Sequence, residues 1–197
     1  MAGKETPRQK MINMMYLIFI AMLALNLSKQ ILQSFGTMNE ELTETNVELV
    51  DRNEQFMQGL EEKAQEQAEK YLALKMKADS IRNISTGLYN YLESIKEGAF
   101  VSAEEKGIAR SNYSKLDNTA YYTSLFFDGE KYKEAGQEFL NQMNSFRNDF
   151  VQIASADPKL VSIAEEVGSK FSTDDVQVSD GKPRKYLDYH YKDMPFT

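Results

Sequence analysis

The 197 residues (22.6 kDa) suffice for one ordinary domain and a short appendage, which argues against a multi-domain enzyme. With 42% hydrophobic and 27% charged residues the chain is neither a disordered polar tract nor a polytopic membrane protein. A formal charge of -7 argues against phosphate-backbone recognition, so no nucleic-acid partner is expected.

There is no cysteine, hence no disulfide framework, thiolate nucleophile or thiolate metal site, and His190, the single histidine, excludes a site built on two imidazoles. Four prolines, ten glycines and no tryptophan suit long helices better than a turn-rich sheet protein, so the expected fold is all-α.

Thr6-Pro7-Arg8-Gln9 predicts a helix start, with Thr6 as N-cap, Pro7 at the first helical position and Gln9 completing a capping box. From Met11 to Ser28 no residue is charged, and at ~1.5 Å per residue this run reaches ~27 Å, close to the ~30 Å hydrocarbon core of a bilayer. It exceeds the h-region of a secretory signal, and no small-x-small pair follows Leu25, so an uncleaved anchor is expected. Lys4, Arg8 and Lys10 against Glu5 give +2 before the span and leave -9 after it. The positive-inside rule then places residues 1–10 in the cytoplasm and the bulk of the chain, in a bacterium, in the periplasm. Ten residues are too few for a cytoplasmic output module.

Polarity in and beside this run is its distinguishing feature. Arg8 lies in the first turn of its helix, where the macrodipole disfavours a cation, so a carboxylate on a partner helix would steady it. Asn13 and Asn26 can hydrogen-bond across helices, Tyr16 suits an interface, and Ala21, Ala24 and Ser28 form a small-residue face that admits a close neighbour. The span contains no Asp, Glu or His, so it cannot carry a proton by itself.

Gly36 reads as a helix stop and Thr37-Met-Asn-Glu40 as a capping box that restarts a helix, which predicts a first helix from about 6 to 35 and a hinge at Gly36-Thr37. Residues 37–197 are expected to form an elongated, dimeric helical bundle. Leu42, Leu49 and Phe56 recur every seven residues in phase with Phe35, with Asn39, Asn46 and Asn53 between them; these asparagines are either register-fixing positions of a coiled-coil seam or the wet side of a bundle helix. Tyr71, Leu74, Ala78, Ile81, Leu88, Leu92 and Ile95 form a core stripe, while Glu61–Lys70 reads as solvated helix and Gly98 as its end. Asp117 or Asn118 should cap a short helix ended by Asp128-Gly129. The next helix, from about 130 to 154, should bury Phe139, Met143, Phe146, Phe150 and Ile153. Asp157-Pro158 starts a last helix to about Phe171, and the tail, with Asp180-Gly181, Pro183 and the cluster Tyr186, Tyr189 and Tyr191, lacks a helical period and should pack on the bundle. The ending Met194-Pro195-Phe196-Thr197 suggests a chain cut before further domains.

No phosphate-binding glycine loop, nucleophile elbow or metal-ligand spacing occurs, and the carboxylate pairs Glu40/Glu41, Glu61/Glu62 and Asp174/Asp175 have no apolar pocket to separate their pKa values. No enzymatic activity, cofactor or metal is expected.

The stretch Thr6-Pro-Arg-Gln-Lys-Met-Ile-Asn-Met-Met-Tyr16, continuing through Ala21-Met-Leu-Ala-Leu-Asn26-Leu-Ser28 and Phe35-Gly36, resembles the GldM family, called PorM in non-gliding species. The resemblance implies an inner-membrane protein of Bacteroidota whose homodimer threads two single helices through a ring of five polytopic GldL subunits. Proton flow through that unit would drive type IX secretion and gliding motility. It further implies that Arg8 is the functional arginine before the span, that Asn13 and Tyr16 contact the ring, and that the acidic proton carrier belongs to the partner. Relatives continue into β-rich domains reaching the outer-membrane machinery, which this chain lacks. The competing expectation is a single-span periplasmic sensor or envelope scaffold.

Overall fold

A computed structural model of the chain describes residues 6–117, 120–179 and 181–195; Lys4, Glu5, Asn118, Asp180, Phe196 and Thr197, used above, lie outside them. The architecture is all-α with two minimal hairpins.

Helix α1 spans Pro7–Glu66, sixty residues and ~90 Å. The Thr6 side chain caps it by accepting from the Gln9 backbone N–H at 3.3 Å, and Pro7 occupies the first turn. Gln9 does not reach back to complete the box; its amide donates to Asn13 Oδ1 at 3.1 Å instead. The expected stop at Gly36 does not occur. Thr37 bonds back to the Gln33 carbonyl at 3.2 Å as a mid-helix residue, so there is no capping box and no hinge at Gly36-Thr37.

The chain breaks instead at Gln67, with φ -137° and ψ 66°, inside the stretch read from sequence as solvated helix, in a region that one or two long helices are expected to fill. Helix α2 (Ala68–Glu104) then folds back antiparallel on α1. Lys75 bridges Glu61 at 2.7 Å and Arg82 reaches Glu54 at 3.2 Å, seven residues apart on each helix, which fixes the register of the hairpin. Gly98 does not end α2; the end comes at Glu104. There Gly107, at φ +74°, and Ile108 donate to the carbonyls of Glu104 and Ala103 in a left-handed C-terminal motif.

A 3-10 turn (Tyr113–Lys115) leads to α3 (Ala120–Phe126). Strands β1 (Phe127–Asp128) and β2 (Lys131–Tyr132) pair antiparallel about Gly129, at φ +62°, so the Asp128-Gly129 stop holds as a hairpin. Helix α4 is Glu134–Ser155 and α5 is Val161–Lys170. Asp157 does not cap α5 directly: its carboxylate accepts from Lys159 N–H in a turn that delays the helix to Val161. Strands β3 (Val176–Gln177) and β4 (Pro183–Arg184) form a second hairpin, and α6 (Tyr186–His190) follows.

The core joins α2, α3, α4 and α6 around Leu88, Phe126, Phe127, Phe139, Met143, Phe146 and Leu187. The α4 stripe is in place, with Phe139, Met143 and Phe146 buried and Phe150 and Ile153 half-buried. Tyr186 and Tyr191 pack on this core as expected, Tyr189 of the same cluster is exposed instead, and Leu187 is fully buried. On α2 the stripe is core only at its lower half: Leu88 is buried and Leu92 and Ile95 pack on it, whereas Leu74 is exposed. Helix α1 has no residue in this cluster and runs alongside it, covered chiefly by α2 and the 3-10 turn.

Candidate functional site

The part of α1 that carries Arg8, Asn13, Tyr16, Ala21, Ala24, Asn26 and Ser28 is uncovered protein surface, whereas Gly36 higher on the same helix is buried. The 18-residue apolar window near the N-terminus has none of its residues buried, with Leu17, Phe19 and Leu23 more than half exposed. A core helix of this hydrophobicity would be mostly buried, so the helix is long and apolar enough to cross a membrane and has its apolar surface free to do so.

Arg8 sits one residue after Pro7, in a first turn that holds no acidic residue. The positive end of the helix dipole and the cation therefore coincide with no intrahelical compensation. At ~100° per residue, Arg8, Tyr16 and Asn26 fall within about 80° of one another, whereas Ala21, Ala24 and Ser28 lie on the opposite side with Asn13 at their edge. The single helix thus separates a polar side from a small-residue side, and the two interhelical asparagines do not share a face.

Because α1 is unbroken, that small-residue side continues above the span. Ala21, Ser28, Phe35, Leu42, Leu49 and Phe56 are each seven apart on one helix, and the four large residues are about half exposed or more. The sequence had separated these two features at a hinge; continuous helix geometry makes them one strip ~50 Å long. Asn46 and Asn53 flank it exposed, while Asn39 faces Tyr113 beside the 3-10 turn.

The membrane-proximal end of the domain is held to α1 by Tyr113, which sequence reading passed over. Its ring lies flat against the backbone of Gly36: a Cβ placed there would come 2.0 Å from Tyr113 Cγ. Its hydroxyl donates to Glu40 Oε1, one turn higher, at 3.0 Å. Burial and the neighbouring Glu40 carboxylate push the Tyr113 phenol above its ordinary pKa, so it stays the donor. Leu32, one turn below Gly36 on the same face, is buried too. Beside this contact a cleft of about 230 Å³ is lined by Phe35, Asn39, Lys96, Phe100 and Leu116. Gly98 repeats the device on α2, where the Tyr121 hydroxyl sits 2.5 Å from an added Cβ. No local sequence signal marks Tyr113 or Tyr121, since their partners are 77 and 23 residues away.

Among the described residues no group of three His, Asp or Glu is placed to hold a metal. The geometry describes a rod that emerges from a membrane-competent arm and is gripped along one side by a helical domain. That geometry fits a membrane-anchored, elongated helical protein. The family model of the GldM N-terminal domain matches residues 30–197, and the chain belongs to that family. Membership associates it with the gliding motility and type IX secretion machinery, in a family of structural and motor subunits. No curated protein matches the chain.

Proposed function

We propose that the chain is the inner-membrane subunit of a motor driven by the proton motive force, with its N-terminus cytoplasmic and its domain periplasmic. Two copies pair along the strip from Ala21 to Phe56, and their spans thread a polytopic GldL-like ring of five subunits. Protons cross on acidic groups of the ring, and Arg8, with Asn13 and Tyr16, engages the ring helices. Motion at that interface passes outward to power type IX secretion and gliding.

The observation that carries this reading is the continuity of α1 from Pro7 to Glu66. A joint at Gly36 would have let the exported domain turn freely of its span; an unbroken helix makes any rotation or tilt of the span a displacement of the domain. The mismatch between a two-fold rod and a five-fold ring then falls on the Arg8-bearing interface, not on a joint above the bilayer.

The test is Arg8→Ala in the full-length protein. Lys10 still supplies positive flanking charge, so insertion and abundance should be unchanged while secretion and motility are lost. Wild-type output from the substituted strain would refute the role of Arg8. In detergent, a motor subunit should co-purify with the ring protein in an asymmetric ratio; recovery alone as a dimer would support an envelope scaffold or sensor instead.

A further inference from the structure

We infer that the turn between α2 and the 3-10 turn, residues 105–112, rests on the lipid headgroups of the leaflet from which α1 emerges, with Lys29 and Lys106 on lipid phosphates. The inference rests on reading residues 11–28 as a membrane span and goes beyond it by placing a second part of the chain on the bilayer.

The height of this turn is set by two rigid features. Helix α1 continues without a break from the uncharged run through Leu32 and Gly36, so Leu32 stands ~6 Å and Gly36 ~12 Å beyond Ser28 along the helix axis. The headgroup layer on each side of the hydrocarbon core is ~5–7 Å thick. The hairpin register set by Glu61–Lys75 and Glu54–Arg82, carried down the two helices, puts Phe100 opposite Gly36 and Glu104 opposite Leu32. The cleft that Gly36 and Phe100 line together agrees with it. Helix α2 therefore ends level with Leu32, and residues 105–112, which follow it before the chain climbs back to Tyr113, lie at the membrane-proximal end of the domain.

The chemistry of the turn suits that position. Ile108 is tucked half-buried toward the protein, while Lys106 and Ser111 are exposed. Arg110 is occupied by Glu97, at 2.8 Å from its Nη1, and by Glu104, at 2.7 Å from its Nε, so two carboxylates that would repel phosphate are neutralised within the protein. Glu105 remains as an exposed acid on the turn. Lys29, three residues before Leu32 and seven before Gly36, projects from the same face of α1, directly beneath the turn. Lysine suits this layer because its stem can lie along acyl chains while the ammonium meets phosphate.

The chain has no native cysteine, so single-cysteine labelling is clean. Ala21→Cys, Ser111→Cys and Gln58→Cys variants of the full chain, each carrying a fluorophore, are reconstituted in nanodiscs of phosphatidylethanolamine with or without phosphatidylglycerol. Quenchers are placed on the acyl chain or the headgroup. Ala21 should be quenched from the acyl chain, Ser111 from the headgroup, and Gln58, ~45 Å above Ser28, by neither. Lys106→Glu should reduce the phosphatidylglycerol-dependent part of the Ser111 quenching about five-fold at low salt. A Ser111 label that behaves like Gln58 while Ala21 is quenched overturns the inference. The same holds for a Ser111 label shielded only when the ring protein is present, which would assign the surface to protein. Quenching indifferent to Lys106→Glu overturns the phosphate contact. An unquenched Ala21 label would mean that the span reading itself has failed.

Discussion

The ring of Tyr113 occupies the space that a side chain at position 36 would need, so Gly36 is a site of close approach within a continuous helix. Gly36→Ala should therefore lower stability by roughly 1–3 kcal/mol despite alanine's better helix propensity, because an aromatic ring packed at its root cannot yield as a flexible side-chain end would. Gly59→Ala and Gly87→Ala, which meet nothing within 4 Å, should instead stabilise by about 0.5–1 kcal/mol. Urea unfolding of the three variants checks the contrast. If all three shift the same way, the Tyr113 contact is not made.

Replacing Tyr113 should separate packing from hydrogen bonding. Tyr113→Phe keeps the ring on Gly36 and removes the bond to Glu40, at a cost of about 1 kcal/mol. In a Gly36→Ala, Tyr113→Ala double mutant, the penalty of Gly36→Ala should largely vanish, since the clash has no second partner. A double-mutant cycle that came out additive would contradict the contact.

Leu187 and Leu42 should respond oppositely. Leu187 has no exposed surface, so Leu187→Ala should cost about 2–5 kcal/mol and show that the tail belongs to the core. Leu42 is 56% exposed, so Leu42→Ala should change the stability of one chain by no more than ~0.5 kcal/mol. If α1 pairs with a second copy, the loss appears in sedimentation as weaker dimerisation.

Alkaline pH should unfold the domain through its buried tyrosines. Burial pushes Tyr122 up to about 12, and Tyr191 is raised by burial and by the neighbouring phenols of Tyr186 and Tyr122. Their folded pKa values exceed the unfolded value of ~10, so the stabilisation is complete below pH ~10 and is lost as pH rises from there through the folded values. Unfolding midpoints should fall from about pH 10 upward, and Tyr122→Phe, which cannot ionise, should flatten the fall. A midpoint that does not change with pH between ~10 and ~12 would count against this burial.

What one stretch of chain can settle by its own periodicity and end signals was legible in the sequence: the helical class, the Thr6-Pro7 start, the apolar arm, the α4 stripe and the turn at Gly129. The Arg8, Asn13 and Tyr16 arm could also be singled out there, because charge and polarity beside an apolar run are local facts. The fate of the glycines was not. A glycine looks the same whether it ends a helix by adopting a left-handed conformation or admits a neighbour by lacking a Cβ. Gly107 does the first, and Gly36 and Gly98 do the second, with tyrosines distant in sequence as their partners. The reversal at Gln67 was hidden for a related reason. No proline or glycine marks it, and it is stabilised by packing and ion pairs between α1 and α2 that exist only once the two helices lie side by side. Moving the break from Gly36 to Gln67 turns two short helices into one rod, and with it a set of separate surface features into a single face. That outcome depends on tertiary contacts, because sixty residues of helix propensity permit a rod but the return of α2 along α1 accompanies its end at Gln67, while Tyr113 packs on Gly36 within the unbroken helix.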